Sequence, residues 1–333
     1  MKLNFMGTAV AIGVLCMSSH ASAASCGNIT IASMNCQSAE LEAAVDKAIL
    51  GEGYGCQVNT VIGDTVPTIT SMVNKGQPDI VSEGAIDLLP TIVKQGIDDK
   101  KVLMGAKTIQ EGAVMGFYIP KYVADAHPDI KTLQDALKHP EIFADPENPG
   151  KGAIYNGPQG WGMTVNAAQL FKAYNASQAG FRLIDTGSAA GLDGSIAKAY
   201  EHKKPWLGIY WSPTSLLGKY KMVRLDVATP VNEAEWKRCT TVASCPDPKL
   251  TVWPVGRLYT LVSKSFAAKA SPDVMKYLDT RSFKAADVEQ VMVWMTDNQA
   301  TGDDGAKRFL KEKQDIWTKW VTPDAAAKIK ASL

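Results

Sequence analysis

The chain has 333 residues, 46% of them hydrophobic and 21% charged, with a formal net charge of +1. This length favours two domains, the composition is that of an ordinary globular protein, and the near-neutral balance gives no basis for a nucleic-acid or polybasic membrane surface. The N-terminus reads as an export leader. Lys2 is the positive start, Met6 to Met17 is the apolar run, and Ala21-Ser22-Ala23 is a small-residue cleavage site, cut after Ala23 or Ala24. The run is too short to span a bilayer and no later stretch is long enough. Residues 1–24 are therefore expected to be a signal peptide, and the remainder a soluble periplasmic protein.

Asn28–Ala32 reads as a first strand. A helix from Ser38 follows, with Leu41, Ala44, Val45, Ala48 and Ile49 on one face, stopped by Gly51, Gly53 and Gly55. That glycine cluster follows a helix instead of opening one, so it is not a dinucleotide loop. Val58–Ile62 is a second strand and Thr65–Asn74 a short helix ended by Gly76. Asp79–Val81 is a third strand, followed by a helix near Ile86–Gln95 and a strand at Val102–Lys107. This alternation predicts a mainly parallel sheet covered on both faces.

Met115–Ile119 reads as a strand leaving the first domain. A second α/β block follows, with a helix at Leu133–Lys138 and a strand at Ala153–Tyr155. That strand runs into the turn Gly157-Pro-Gln-Gly-Trp-Gly162, and Thr164 is taken as N-cap of a helix to Tyr174. Arg182–Asp185, Trp206–Trp211 and Met222–Val227 are the block's further strands, with a helix at Ser195–Tyr200. Tyr259–Val262 returns to the first domain, and Pro272–Leu278, Ala285–Thr296 and Ala306–Val321 are helical. The expected organisation is a discontinuous first domain, residues 25–114 plus 256–333, interrupted by a second at 115–255. Two strands cross between them, with a ligand cleft where strand C-termini meet.

After the leader, five cysteines remain. Cys239 and Cys245 close a small local loop, read as a disulfide. Cys56 has two available partners, Cys26 and Cys36. Cys26–Cys56 is favoured because it ties the first strand to the second and leaves Cys36 reduced.

The chemistry that is absent narrows the function. His127, His139 and His202 sit in polar settings, and no metal-ligand spacing or Gly-x-Ser-x-Gly elbow occurs. The reading is a binder, with no cofactor or metal. What the sequence does offer is aromatic. Trp161, and the pair Tyr210-Trp211, stand at strand ends, where ring faces attract a cation. The backbone N–H groups of Gly162, Met163 and Thr164, at a helix N-terminus, suit an anion.

These residues resemble a family. Gly160-Trp161-Gly162 opening a helix, Tyr210-Trp211-Ser-Pro-Thr214 and Lys203-Lys204-Pro205-Trp206 are similar to the substrate-binding protein of glycine betaine/proline betaine-type ABC importers. So are Gly53-Tyr54-Gly55-Cys56, Gly63-Asp64-Thr65-Val-Pro-Thr68 and Lys75-Gly76-Gln-Pro-Asp79-Ile80. The resemblance covers nearly the whole chain after the leader. It implies an α/β, type II periplasmic-binding-protein fold, a ligand ammonium boxed by aromatic rings, and delivery to an ABC permease by a monomer. Carried over, Trp161 and Trp211 are box walls, with Tyr210 and Trp206 as weaker candidates.

The chain also departs from that pattern. Related chains commonly place tryptophans where this one has Cys36 and Ser82-Glu83-Gly84-Ala85. Glu83 is left as the first domain's partner for a cation, and a carboxylate suits an ammonium that carries N–H groups. The expected ligand is thus a small cationic or zwitterionic amine of the betaine or choline kind. The alternative is an amino acid such as proline or histidine, its ammonium paired with Glu83. A secreted enzyme using Glu83 or Cys36 lacks a neighbouring base. A receptor role would use the same ligand as a transport role.

Overall fold

The computed structural model describes residues 26–226 and 229–333. The leader, and with it the signal-peptide reading, lies outside the described residues. No helix among the described residues is long and apolar enough to cross a membrane.

The first sheet holds β1 (Asn28–Met34), β2 (Gln57–Gly63), β3 (Ile80–Ala85), β4 (Val102–Lys107) and β10 (Leu258–Ser263), in the order β2-β1-β3-β10-β4. The second holds β5 (Val114–Pro120), β6 (Gly152–Asn156), β7 (Phe181–Asp185), β8 (Gly208–Ser212) and β9 (Met222–Arg224), in the order β7-β6-β8-β5-β9. Neither sheet is mainly parallel throughout. β10 runs antiparallel to both β3 and β4, and β5 runs antiparallel to both β8 and β9. Each of these strands enters its sheet from a segment that has just crossed between the two lobes, and so arrives from the opposite end.

Each sheet carries apolar clusters of its own. Ile29, Ile31, Leu41 and Val45 pack with Met292 and Phe309 in the first lobe, while Ile154, Leu170, Phe181 and Ile209 pack together in the second. The crossing segments touch where Ala113 and Gly256 exchange two backbone hydrogen bonds of 2.8 Å. Beside them Arg257 makes an ion pair of 2.7 Å with Asp87. The crossing is thus paired backbone rather than two loose linkers.

Several elements differ in extent from expectation. The helix after the glycine turn begins at Gly162 with Trp161 as its N-cap, so Thr164 lies in the first turn and is not the cap. Trp161 has extended backbone (φ −88°, ψ 137°), and the glycine after it enters the helix with no Cβ against Leu88. The expected Ala306–Val321 helix is two, Gly302–Glu312 and Gln314–Trp317, separated at Lys313 (φ −116°, ψ 40°). A last helix, Pro323–Ser332, was not expected from the sequence. Both disulfides form as read, Cys26–Cys56 and Cys239–Cys245, and Cys36 is free.

Candidate functional site

Both sheets present the C-terminal ends of their parallel strands to one cleft, the place where an α/β fold offers free backbone groups and loops. Met34 ends β1 and Asn35 and Cys36 follow it, Glu83 and Ala85 lie at the end of β3, and Trp211 lies at the end of β8 with Pro213 just after it. Trp161 and Met163 come from the turn and helix after β6. These side chains, with Ser38, Thr65 and Leu88, enclose a cavity of about 60 Å³. The cavity shares Met34, Asn35 and Cys36 with a broader groove of about 840 Å³ along the cleft mouth.

The second lobe supplies the aromatic wall. The Trp161 and Trp211 rings meet at 5.2 Å with an interplanar angle of 85°, a corner built of two indoles. Tyr210 buttresses Trp211 at 4.8 Å, but it is buried and its hydroxyl donates to Asp193 at 2.7 Å. Trp206 is buried behind the sheet, stacked on Tyr155 at 5.7 Å, and its Nε1 donates to Ser195 Oγ at 3.0 Å. Neither Tyr210 nor Trp206 lines the cavity. Thr164 is buried against Gly157 instead of facing the cavity, and its carbonyl accepts from Asn156 Nδ2 at 3.3 Å.

The first lobe supplies polarity. Glu83 Oε1 accepts from Ser38 Oγ at 3.3 Å and lies 3.8 Å from Cys36 Sγ. Burial pushes the Glu83 carboxyl above its ordinary range, opposed first by the hydrogen bond from Ser38. Burial, reinforced by the Glu83 charge, pushes the Cys36 thiol far up, so it stays protonated and is a poor nucleophile.

Behind this wall lies a charged layer that the sequence reading missed. Glu42 and Asp46, four residues apart on the Gln37–Ala48 helix, are fully buried. Asp46 Oδ1 is 2.9 Å from Nε of the buried Arg281 and accepts the Tyr277 hydroxyl. Arg281 Nη2 also donates to Thr260 Oγ1 at 2.7 Å and to the Ser82 carbonyl at 3.0 Å. In the sequence these acids flank Leu41 and Val45 and look like the solvent edge of an amphipathic helix. The distant Arg281 is what lets them be buried.

The lobes touch around the cavity. Val66 N–H donates to the Gly160 carbonyl at 3.1 Å, Trp236 Nε1 to the Asp87 carbonyl at 2.7 Å, and Lys219 pairs with Asp297 at 2.6 Å. At Gly160 and Gly162 the backbone passes so close to Asp64 and Leu88 that a Cβ would overlap them. The glycines of the Gly-Trp-Gly turn thus serve close approach between lobes.

A family model described as the substrate-binding domain of the ABC-type glycine betaine transport system matches residues 27–312. The chain belongs to this family. Its members are substrate-binding proteins of ABC transporters, and the chain is accordingly a binding protein and not an enzyme. The glycine betaine/carnitine transport binding protein GbuC of Listeria monocytogenes serotype 1/2a (strain 10403S) is 23% identical over 161 residues, 48% of this chain. The match spans 46% of that relative's own length. Among solved structures, a choline-binding protein of an ABC transporter in complex with choline superposes with a TM-score of 0.72 at 18% identity, covering 92% of this chain and 98% of that one. Lactococcal OpuAC, closed on glycine betaine, gives 0.65 at 20% identity, covering 89% and 100%. The glycine betaine/L-proline-binding protein ProX from Borrelia burgdorferi gives 0.68 at 17%, covering 91% and 99%. These likenesses are in fold, the type II periplasmic-binding architecture of two α/β lobes.

Proposed function

We propose that the protein takes one small ligand bearing a cationic nitrogen between Trp161 and Trp211 on one lobe and Glu83 on the other. It then delivers that ligand to the membrane permease of an ABC importer. The two lobes are residues 25–114 plus 256–333 and residues 115–255. The protein works as an exported, periplasmic monomer. The observation that carries this reading is the indole corner facing a carboxylate across one cavity. Rings attract a cation through their faces and the carboxylate neutralises it. The N–H groups of Gly162, Met163 and Thr164, in the first turn of a 12-residue helix, have no intrahelical acceptors and suit a ligand carboxylate.

The ligand class is a betaine or choline-like quaternary amine, the kind bound by the choline and glycine betaine proteins that share the fold. A second reading, an amino acid such as proline or histidine, is favoured by Glu83 standing at the cavity wall with Cys36. The test is thermal unfolding against glycine betaine, choline, carnitine, proline, histidine and arginine. A ligand at 100 times its Kd adds about 2.7 kcal/mol, a clear rise in Tm. A rise with the methylated amines alone supports the first reading, and a rise with the amino acids alone supports the second. No rise with any of them overturns the proposal.

A further inference from the structure

Glu42 has no place in the cavity wall, yet it stands directly behind it. It is fully buried, and neither of its carboxylate oxygens meets a protein donor. Glu83 Oε2 is also buried without a donor, and the two side chains lie within hydrogen-bond reach of each other. The one cation paired with them among the described residues, Arg281, is 3.8 Å from Glu42 Oε2 and closer, at 2.9 Å, to Asp46. Two buried acids and the half-buried Glu83 therefore face a single guanidinium. Two carboxylates in contact cannot both ionise, and a proton placed between them satisfies oxygens that nothing else satisfies.

We propose that Glu42 is a positioning residue for the ligand's charge: it keeps its proton, donates it to Glu83, and so holds Glu83 as the single negative charge presented to a cation in the cavity. The proposal rests on the reading that a cationic nitrogen enters there. Glu42 is held well above the ordinary carboxylate range, first by burial and then by the Glu83 charge. The other groups facing the pair are Cys36 at the N-cap of the Gln37–Ala48 helix, Asp46 on that helix, Arg281 behind it, Tyr277 through Asp46, and Tyr210 across the cleft beyond Cys36. Because burial raises the Glu83 carboxyl, acid conditions put a second proton on the pair. A cation binding there then expels that proton to solvent. Affinity must rise with pH through the Glu83 range, with one proton released per cation at the acid end.

The experiment compares wild type, Glu42→Gln and Glu83→Gln, with choline and proline as probes. In the ligand-free protein at neutral pH, infrared difference spectra should show the carbonyl stretch of a protonated carboxylic acid, which Glu42→Gln removes. No such difference means that Glu42 is ionised and overturns the pair. For whichever probe binds, calorimetry from acid to neutral pH should show affinity rising with pH. Glu42→Gln, neutral like a protonated Glu42 and still a donor, should keep the wild-type affinity at the alkaline end within about threefold. Glu83→Gln should lose roughly tenfold or more. A loss in Glu42→Gln as large as in Glu83→Gln would mean that Glu42 contributes charge itself, and sinks the proposal. If no ligand of the panel above binds, the cation reading fails, while the infrared result still decides the pair.

Discussion

Trp161 and Trp211 make a corner, so a cation seated there meets two indoles held by packing rather than by the ligand. Replacing Trp161 with alanine removes one of them and should weaken binding by about 1–2 kcal/mol, a five- to thirtyfold rise in Kd by calorimetry. Trp161→Phe keeps a ring and should fall between. Equal affinity in all three proteins would show that the indole does not touch the ligand. The sequence pointed to Trp161, Trp211, Glu83, Cys36 and Met163, all of which line the cavity. Each follows or ends a strand in a glycine-rich or short connection, and strand C-termini gather in this fold. Trp206 and Tyr210 share an apolar cluster with Trp161 and with Leu192 and Ile196 from the Ala189–Glu201 helix, but neither reaches the cavity. Residues four apart in an extended segment share a face, and here that face looks at a helix instead of the cleft. Glu42 was illegible because its neighbours in space, Glu83 and Arg281, are 41 and 239 residues away in sequence.

The turn that carries Trp161 also joins the lobes. Gly160 offers its carbonyl to Val66 N–H and leaves no room for a Cβ beside Asp64. Gly160→Ala should therefore hold the lobes apart without altering either core. Affinity for the wild-type ligand should fall at least tenfold, about 1.4 kcal/mol, the loss appearing as faster dissociation. Small-angle scattering should show a larger radius of gyration for the variant at saturating ligand. Unchanged scattering and affinity would mean that the cleft does not close through this contact. Lys219–Asp297 is a weaker latch, because both side chains keep substantial exposure and water screens them. Element positions were mostly legible in the sequence, since periodicity marks each strand and helix. Their ends were not. Lys313 divides a stretch whose apolar pattern runs on unbroken, and the first turn at Gly162 depends on Leu88 from the other lobe.

For the whole molecule, the two disulfides sit apart from the binding cleft. Cys26–Cys56 links residues just before β1 and β2, at the opposite ends of those strands from Met34 and Cys36. Closing a 30-residue loop removes unfolded-state entropy worth about 3–4 kcal/mol. A Cys26→Ser/Cys56→Ser variant should lose that much stability in chemical unfolding and keep the wild-type ligand affinity. Reduced affinity at temperatures where the variant is fully folded would contradict the separation of staple and site. The alternation of strands and helices gave the two-lobed plan in advance. The mixed sheets could not be read that way, because no local pattern announces that residues 258–263 slot between strands ending at Ala85 and beginning at Val102.

That slot has a consequence for the order in which the chain can fold. β3 and β4 are neighbours in sequence, yet they are held apart by β10, and the first sheet is incomplete until residues some 150 positions later arrive. The second lobe lies wholly between β4 and β10, with all five of its strands made before β10 is reached. On a chain emerging from its N-terminus, the inserted lobe can reach its native pairing first, while the lobe that begins the protein waits with a gap in its sheet. Loop closure over such a span is slow. The cleft between the lobes, and every wall the first lobe gives to it, is therefore the last part of the molecule to be assembled.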